Sequence, residues 1–289
     1  MSAENWTPAE PAIERILSGT LDPSGEPNLS ADSDLLANLA RGDIPAIILR
    51  QAFDPRDCLG LIDRFIDRGL VDDPRTEGSG GQRLRIDIGT SLGNRGSDQE
   101  AFFAHAEETR ALFEHLFDGY PDPVNRVYEV LSALAAGKKV ATAYEPDGRT
   151  YGPAIFRIHY AGHRYQPHID HVSLREKRFN YAVTRFKHQF AGVLCMQNTA
   201  EAGQATQSIL HRCAWSREIQ PHIEADTFYD YASDNDIQSF RADLEPGDLY
   251  FFNTGMIHEV PALEGDDLRV VLAVFIGYSE DDPEIFVWA

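Results

Sequence analysis

The sequence predicts a mainly β protein with N-terminal helices, its core an antiparallel barrel or sandwich. Three observations point there. Helical apolar periodicity is confined to the first half of the chain. From Ala154 onward, short apolar or alternating segments are broken by turns. No run alternates strand and helix in the way a parallel sheet requires. The 289 residues suit one large domain.

Residues 1 to about 40 are rich in Pro, Ser, Asp and Glu, with one short apolar-periodic piece around Ile13 to Leu17, and are expected to form a loosely attached arm. Residues 41–289 are expected to be a single domain, with 41–150 a helical buttress with flanking strands and 151–280 the β core. Ile44 to Leu49 reads as a first strand. Asp54-Pro55 combines an N-cap with Pro at the first helical position, and Leu59, Ile62, Phe65 and Ile66 give the following helix, about 55–68, an apolar face. Leu84 to Ile88 alternates as a strand. Phe102, Ala106, Leu112 and Leu116 mark one helix, and Val124 to Leu134 marks another. Residues 156–160, 190–196, 249–252 and 269–275 read as strands, with a long acidic, Tyr-containing insert at about 216–243.

The formal net charge of −20 repels nucleic-acid backbones and anionic membranes, so neither is an expected partner. Three cysteines without paired spacing argue against a disulfide framework or a cysteine-rich zinc site, and Cys195 is expected to be a small buried apolar group. The first residues lack a basic region followed by an apolar stretch, and the longest apolar run, 270–276, is too short to span a bilayer. A reduced, cytoplasmic protein is the expectation.

The chemistry is concentrated in Tyr165-Gln166-Pro167-His168-Ile169-Asp170-His171. If this segment is extended, alternation puts His168 and Asp170 on one face, where an imidazole nitrogen and a carboxylate oxygen can reach a single ion. His258, after the Pro246-Gly247-Asp248 turn and the apolar strand beyond it, is the expected third ligand. Two histidines and one carboxylate leave three adjacent positions open, the arrangement used by non-haem iron(II) oxygenases. A bidentate 2-oxo acid takes two of them and dioxygen the third. Zinc would accept the same ligands, but no general base for hydrolysis stands out. A His-x-Asp triplet by itself proves little in a chain with ten histidines. Arg269 adds weight. It opens a strand on the face shared by Val271, Ala273 and Phe275, and an arginine facing a barrel interior calls for an anion. The distal carboxylate of 2-oxoglutarate would supply one through a bidentate contact.

These residues resemble a known family. Tyr160, Gly162, Tyr165, Pro167, His168 and Asp170 are spaced as in the Tyr…Gly…Tyr-x-Pro-His-x-Asp segment of prolyl-4-hydroxylase-like 2-oxoglutarate oxygenases. Residues 190–198 followed by 201–206 are similar to their strand and Glu-Gly-Gly-like turn. Pro246 to His258 and on to Arg269 resembles their last core strands, and Ala52 to Cys58 their N-terminal helix entry. The layout, with Gly148 to Tyr151 and the acidic insert, more specifically resembles the group holding the welwitindolinone-type aliphatic halogenases and their hydroxylating relatives. The resemblance implies a double-stranded β-helix of the jelly-roll or cupin kind, with iron(II), 2-oxoglutarate and dioxygen.

The departures carry information. Those halogenases have a small residue where this chain has Asp170, so a carboxylate here implies hydroxylation. Prolyl-hydroxylase relatives usually place Lys where Arg269 stands, and many arginine-type members have Ser where this chain has Val271. Tyr160 or Tyr165 is the expected helper of the arginine. The expected substrate is a small molecule (an amino-acid derivative, a nucleoside or a natural-product scaffold) whose unactivated C–H bond is hydroxylated. Arg157, His159, His163 and His171 are candidate contacts, and Tyr229 and Tyr231 are candidate lid residues. Two alternatives remain open at this point. One is a non-catalytic cupin-like protein that binds a metal or organic acid. The other is an oxygenase of the same type that ends in desaturation, cyclisation, epimerisation or halogenation.

Overall fold

A computed structural model describes residues 6–18, 34–72, 85–160, 162–198, 206–262 and 268–289. The turn expected at 201–205 and Leu84 of the second predicted strand lie outside the described residues. Among the described residues there are twelve strands: β1 (Ala46–Leu49), β2 (Arg85–Ile88), β3 (Lys139–Thr142), β4 (Ile155–His159), β5 (Tyr165–His168), β6 (His188–Gln197), β7 (Thr206–Ala214), β8 (Ser239–Asp243), β9 (Leu249–Asn253), β10 (Met256–Val260), β11 (Arg269–Tyr278) and β12 (Glu284–Trp288).

They form two sheets. The larger has eight strands, with β1-β9-β6-β11-β12-β3 as its main path and β4 and β2 joining through β11; the smaller runs β5-β10-β7-β8. Every pairing is antiparallel except β12 with β3. This is the jelly-roll class of core that the sequence predicts.

The long strands of the larger sheet are apolar on both faces because both are covered. One face, including Phe156, Phe190, Leu194, Phe251, Leu272 and Val274, packs into a core cluster shared with the N-terminal helices. The other, including Ala191, Val193, Tyr250, Phe252 and Val271, turns towards the smaller sheet. The helices begin where the caps dictate. Asp54 accepts from Arg56 N at 2.8 Å to open Pro55–Asp67. Asp98 accepts from Ala101 N at 3.1 Å to open Gln99–Leu116. Asp122 accepts from Val124 N at 2.8 Å to open Pro123–Leu134.

Two expectations change. The buried stripe of the first of these helices is Cys58, Leu61, Ile62 and Phe65, spaced i, i+3, i+4, i+7, and it leaves Leu59 exposed. The segment before residue 41 is not wholly a loose arm. Leu35–Arg41 is a helix with Leu36 and Leu39 buried in the main core, and Ala9 bridges to Ile47 of β1. The insert at 216–243 holds helices Gln220–Glu224 and Phe228–Asp234, which lead into β8 at the edge of the smaller sheet. Among the described residues no helix is long and apolar enough to cross a membrane.

Candidate active site

His168 closes β5 and His258 lies in β10, and the two are direct partners across that antiparallel pair. Residues 90 positions apart thus meet by register, with ring centroids 4.4 Å apart. A bulge between His258 and Val260 fixes that register. Asp170 sits just past the end of β5. Its amide donates to Thr254 O at 3.0 Å, and the Gln189 side-chain amide donates to its carbonyl at 3.2 Å.

The three side chains converge. Asp170 Oδ2 lies 3.7 Å from Nε2 of His168 and 3.7 Å from Nε2 of His258, and one donor atom from each residue falls within 4.8 Å of the others. These separations are too long for hydrogen bonds and leave room between the donors. The rear nitrogens are engaged. His168 Nδ1 donates to Gln166 O at 2.6 Å, and His258 Nδ1 donates to Met256 O at 3.0 Å. That places the protons at Nδ1 and turns both Nε2 lone pairs towards Asp170, as ligands to a metal require.

The electrostatics agree. Burial by itself raises the Asp170 carboxyl, but the facing His168 and His258 rings outweigh it and hold the group well below the usual carboxylate range. Burial, followed by the neighbouring His168, lowers His258, so its ring is neutral near pH 7. The second Asp170 oxygen, Oδ1, accepts from Arg175 Nη1 at 2.6 Å, which directs Oδ2 alone at the histidines. Two imidazoles and one carboxylate oxygen on one side of a shared point fit an octahedral metal with open positions.

A cavity of about 390 Å³ opens over these residues, within the range of small-molecule sites. Its walls mix Ile155, Ala191, Val193, Phe252, Val271, Ala273 and Phe275 with Arg85, Arg157, His159, Tyr165, Gln207, Ser208 and Tyr250. The alternation expected for β11 places Val271, Ala273 and Phe275 along the cavity wall. Arg269 lies at the start of the same face, 1% exposed and directly opposite His159 of β4. It does not border the open space itself, although Gln207, Ser208 and Tyr250 beside it do. Its Nη1 donates to Pro261 O at 3.0 Å and its Nη2 to Thr206 O at 3.2 Å. Its Nε is buried without an acceptor, and burial lowers its pKa. No carboxylate of the described residues faces this guanidinium, so the buried cation fits an anionic ligand.

The other sequence candidates divide. Tyr165 borders the cavity, where its hydroxyl is hydrogen-bonded by Arg85. Tyr160, one residue beyond His159, falls on the opposite face and packs against the main core, so it is not placed to assist Arg269. Arg157 and His159 border the cavity; His163 stacks behind, its ring centroid 4.7 Å from that of His159. His171 turns away, accepting the Ser173 and Leu174 amides at Nδ1. Tyr229 and Tyr231 do not border the cavity either. Tyr229 donates to Glu259, whose other oxygen pairs with His211 at 3.0 Å, and Tyr231 packs on His222.

Sequence reading missed Arg175, Arg85, Ser208 and Tyr250. Ser208 and Tyr250 join their hydroxyls at 3.0 Å beside the Arg269 guanidinium. Alternation within Leu249–Asn253 places Tyr250 and Phe252 on the inner face, a signal available in the sequence. Arg175 had none, because the turn that brings it back to Asp170 has no periodicity. Burial raises the thiol of Cys195, which is a free, fully buried cysteine, as the sequence suggests.

The model of the family described as carrier-protein-independent halogenase WelO5 matches residues 26–289. Among solved structures, the chain is similar to an N-substituted L-amino acid dioxygenase from Burkholderia ambifaria AMMD, at 16% identity and a TM-score of 0.57, covering 88% of this chain and 90% of that one. It is also similar to the same dioxygenase in complex with alpha-KG, at 17% identity and a TM-score of 0.54, with the same coverage. At this identity the likeness shows the fold. No protein of curated function matches the chain.

Proposed function

The chain belongs to the carrier-protein-independent halogenase WelO5 family, among the iron- and 2-oxoglutarate-dependent oxygenases, and from that premise we propose that it hydroxylates an unactivated C–H bond of a small molecule. His168, Asp170 and His258 hold iron(II), and Arg269 receives the distal carboxylate of 2-oxoglutarate. Iron(II) with 2-oxoglutarate supplies the activation of dioxygen, with oxidative decarboxylation to succinate.

The observation that carries hydroxylation over halogenation is Asp170. Its Oδ2 faces both histidine Nε2 atoms while Arg175 holds Oδ1. A carboxylate so fixed takes the position that a halide needs. The rest of the protein binds, orients and excludes water. Gln166 O and Met256 O fix the histidine tautomers, and Arg269 waits as a desolvated cation. The apolar walls at Val193, Phe252, Val271 and Phe275 position a substrate over the ion. The N-substituted amino acid on which the Burkholderia ambifaria dioxygenase acts is one class that suits a cavity of this size and polarity.

The test is anaerobic titration of the purified protein with iron(II) and then 2-oxoglutarate, followed through the weak visible metal-to-ligand charge-transfer band. The band is expected in the wild type and absent in Asp170→Ala and His258→Ala. No band with reconstituted wild-type protein would instead favour the non-catalytic binding protein.

A further inference from the structure

The charged groups around the cavity do not cancel. Arg85 is engaged by Asp87 at 2.7 Å and by the Tyr165 hydroxyl. Arg175 is engaged by Asp170, and Glu176 by Arg178 at 3.0 Å. Among the described residues lining the cavity, Arg157 is the cation left over, with neither a hydrogen bond nor an ion pair. Its Nε is buried with no acceptor. The acid opposite it in the sheet offers no relief. Asp87 is the register partner of Arg157, but its Oδ2 takes Arg85 Nη2 at 2.7 Å and Asn94 Nδ2 at 3.1 Å, and its Oδ1, though buried and free of other partners, makes no hydrogen bond with Arg157.

This is not the Arg269 subsite. Across β4 and β11, His159 faces Arg269 while Arg157 faces Val271, two residues further along. The two backbone positions are thus on neighbouring strands and offset by two residues, about 7 Å, along them. Beside Arg157 the cavity has an apolar wall, formed by Ile155, Val271, Ala273 and Phe275, next to the polar Arg85, Asn94 and His159. A guanidinium kept partly desolvated and unpaired in such a setting is satisfied by a ligand carboxylate, which it can grip at two points.

We propose that Arg157 is a second carboxylate anchor in the cavity and that the substrate is an acid with an apolar body. This rests on the reading of the cavity as the site of small-molecule oxidation. Arg157 holds the acid end, and the walls at Ala273, Phe275 and Val193 take the remainder. A carboxylate can come from the substrate or from the metal-facing end of 2-oxoglutarate, and the experiment separates them.

The protein is loaded anaerobically with manganese(II) in place of iron and with saturating 2-oxoglutarate, and binding is followed by calorimetry. The probes are N-acetyl-L-leucine and 3-phenylpropanoate, each set against its uncharged amide. The wild type is expected to prefer an acid over its amide by about tenfold or more, the loss typical of a charge-assisted pair. Arg157→Gln should erase that preference, and Arg157→Lys should retain part of it. A melting temperature close to wild type certifies that each variant is folded. Failure of both acids to bind the loaded wild type overturns the proposal, and so does a preference that survives Arg157→Gln. If Arg157→Gln weakens 2-oxoglutarate instead, the carboxylate is the co-substrate's and the substrate assignment falls. Failure of the wild type to take up manganese and 2-oxoglutarate shows before any acid is added and overturns the underlying reading as well.

Discussion

The two ends of the cavity are built on opposite principles. At the His168–Asp170–His258 end, every atom that does not face the shared point already has a partner: both Nδ1 atoms reach backbone carbonyls, and Asp170 Oδ1 reaches Arg175. At the Arg269 end, donors stand idle. Arg269 Nε is buried without an acceptor, and neither ring nitrogen of the facing His159 has a hydrogen-bond partner. One end is arranged in advance, and the other, in the proposed reading, is completed by its ligand. A metal needs lone pairs aimed in advance, because small angular errors cost affinity. A flexible dianion brings its own acceptors and tolerates a looser cradle.

Substitutions at each end break or sharpen this contrast. The largest effect is expected for Asp170→Ala, which removes one of the three proposed ligands and leaves Arg175 without its acid. Iron affinity should fall by about a hundredfold or more, read by metal competition, with hydroxylation lost. Retained activity would sink the ligand assignment. Asp170→Gly shares that loss and, by clearing the carboxylate, tests whether chloride is admitted. Next comes Arg269→Ala. The 2-oxoglutarate dissociation constant should rise by about thirty- to a hundredfold with iron affinity nearly unchanged. Equal losses of both ligands would erase the distinction between the ends.

A subtler effect concerns acid stability. Burial, then the neighbouring His163, Arg157, Arg269 and Arg85, hold His159 well below the ordinary histidine pKa. Between that depressed value and about 6.5, the unfolded chain binds a proton that the folded protein refuses. Apo-protein stability should therefore fall as pH drops below about 6.5, and His159→Gln should flatten that slope in denaturant titrations at pH 7.5 and 5.5. Some slope persists, because burial also lowers His163, His171 and His188. An unchanged slope would mean that the Arg269 end is already hydrated. The smallest effect is expected for Tyr229→Phe, which removes one hydrogen bond to Glu259 from a half-exposed tyrosine. It should cost about 1 kcal/mol or less, seen as a shift in the denaturation midpoint, and leave both ends of the cavity untouched.

Much of the core was legible because its strands are apolar on both faces. The readings 156–160, 190–196, 249–252 and 269–275 fall on β4, β6, β9 and β11. The smaller sheet was harder. β7, Thr206–Ala214, mixes Gln207, Ser208, His211 and Arg212 with apolar residues, and β8 opens on Ser239. Such strands show neither clean alternation nor an apolar run. The pairing of His168 with His258 depends on a register between segments 90 residues apart, and local pattern carries no trace of it. The candidate residues could still be picked out, because a His-x-Asp step, a later histidine and an inward arginine are the side chains that the proposed ion and anion would need. Tyr160 went astray at a single residue of strand phase, since its neighbour His159 is the one that points inward.

The position of β8 has a practical consequence. The helices of the 216–243 segment return to the body of the protein through that strand, which pairs with β7 and stands at the far edge from β5. β8 itself lies three strands from β5, with β10 and β7 between. The helices ahead of it reach back, because Ile219 and Phe228 share a core cluster with Ile169, the residue between His168 and Asp170, and Gln220, Ile223 and Glu224 border a second pocket together with His168. Replacing this segment should therefore shift the His168–Asp170 step along with whatever approaches the mouth of the site.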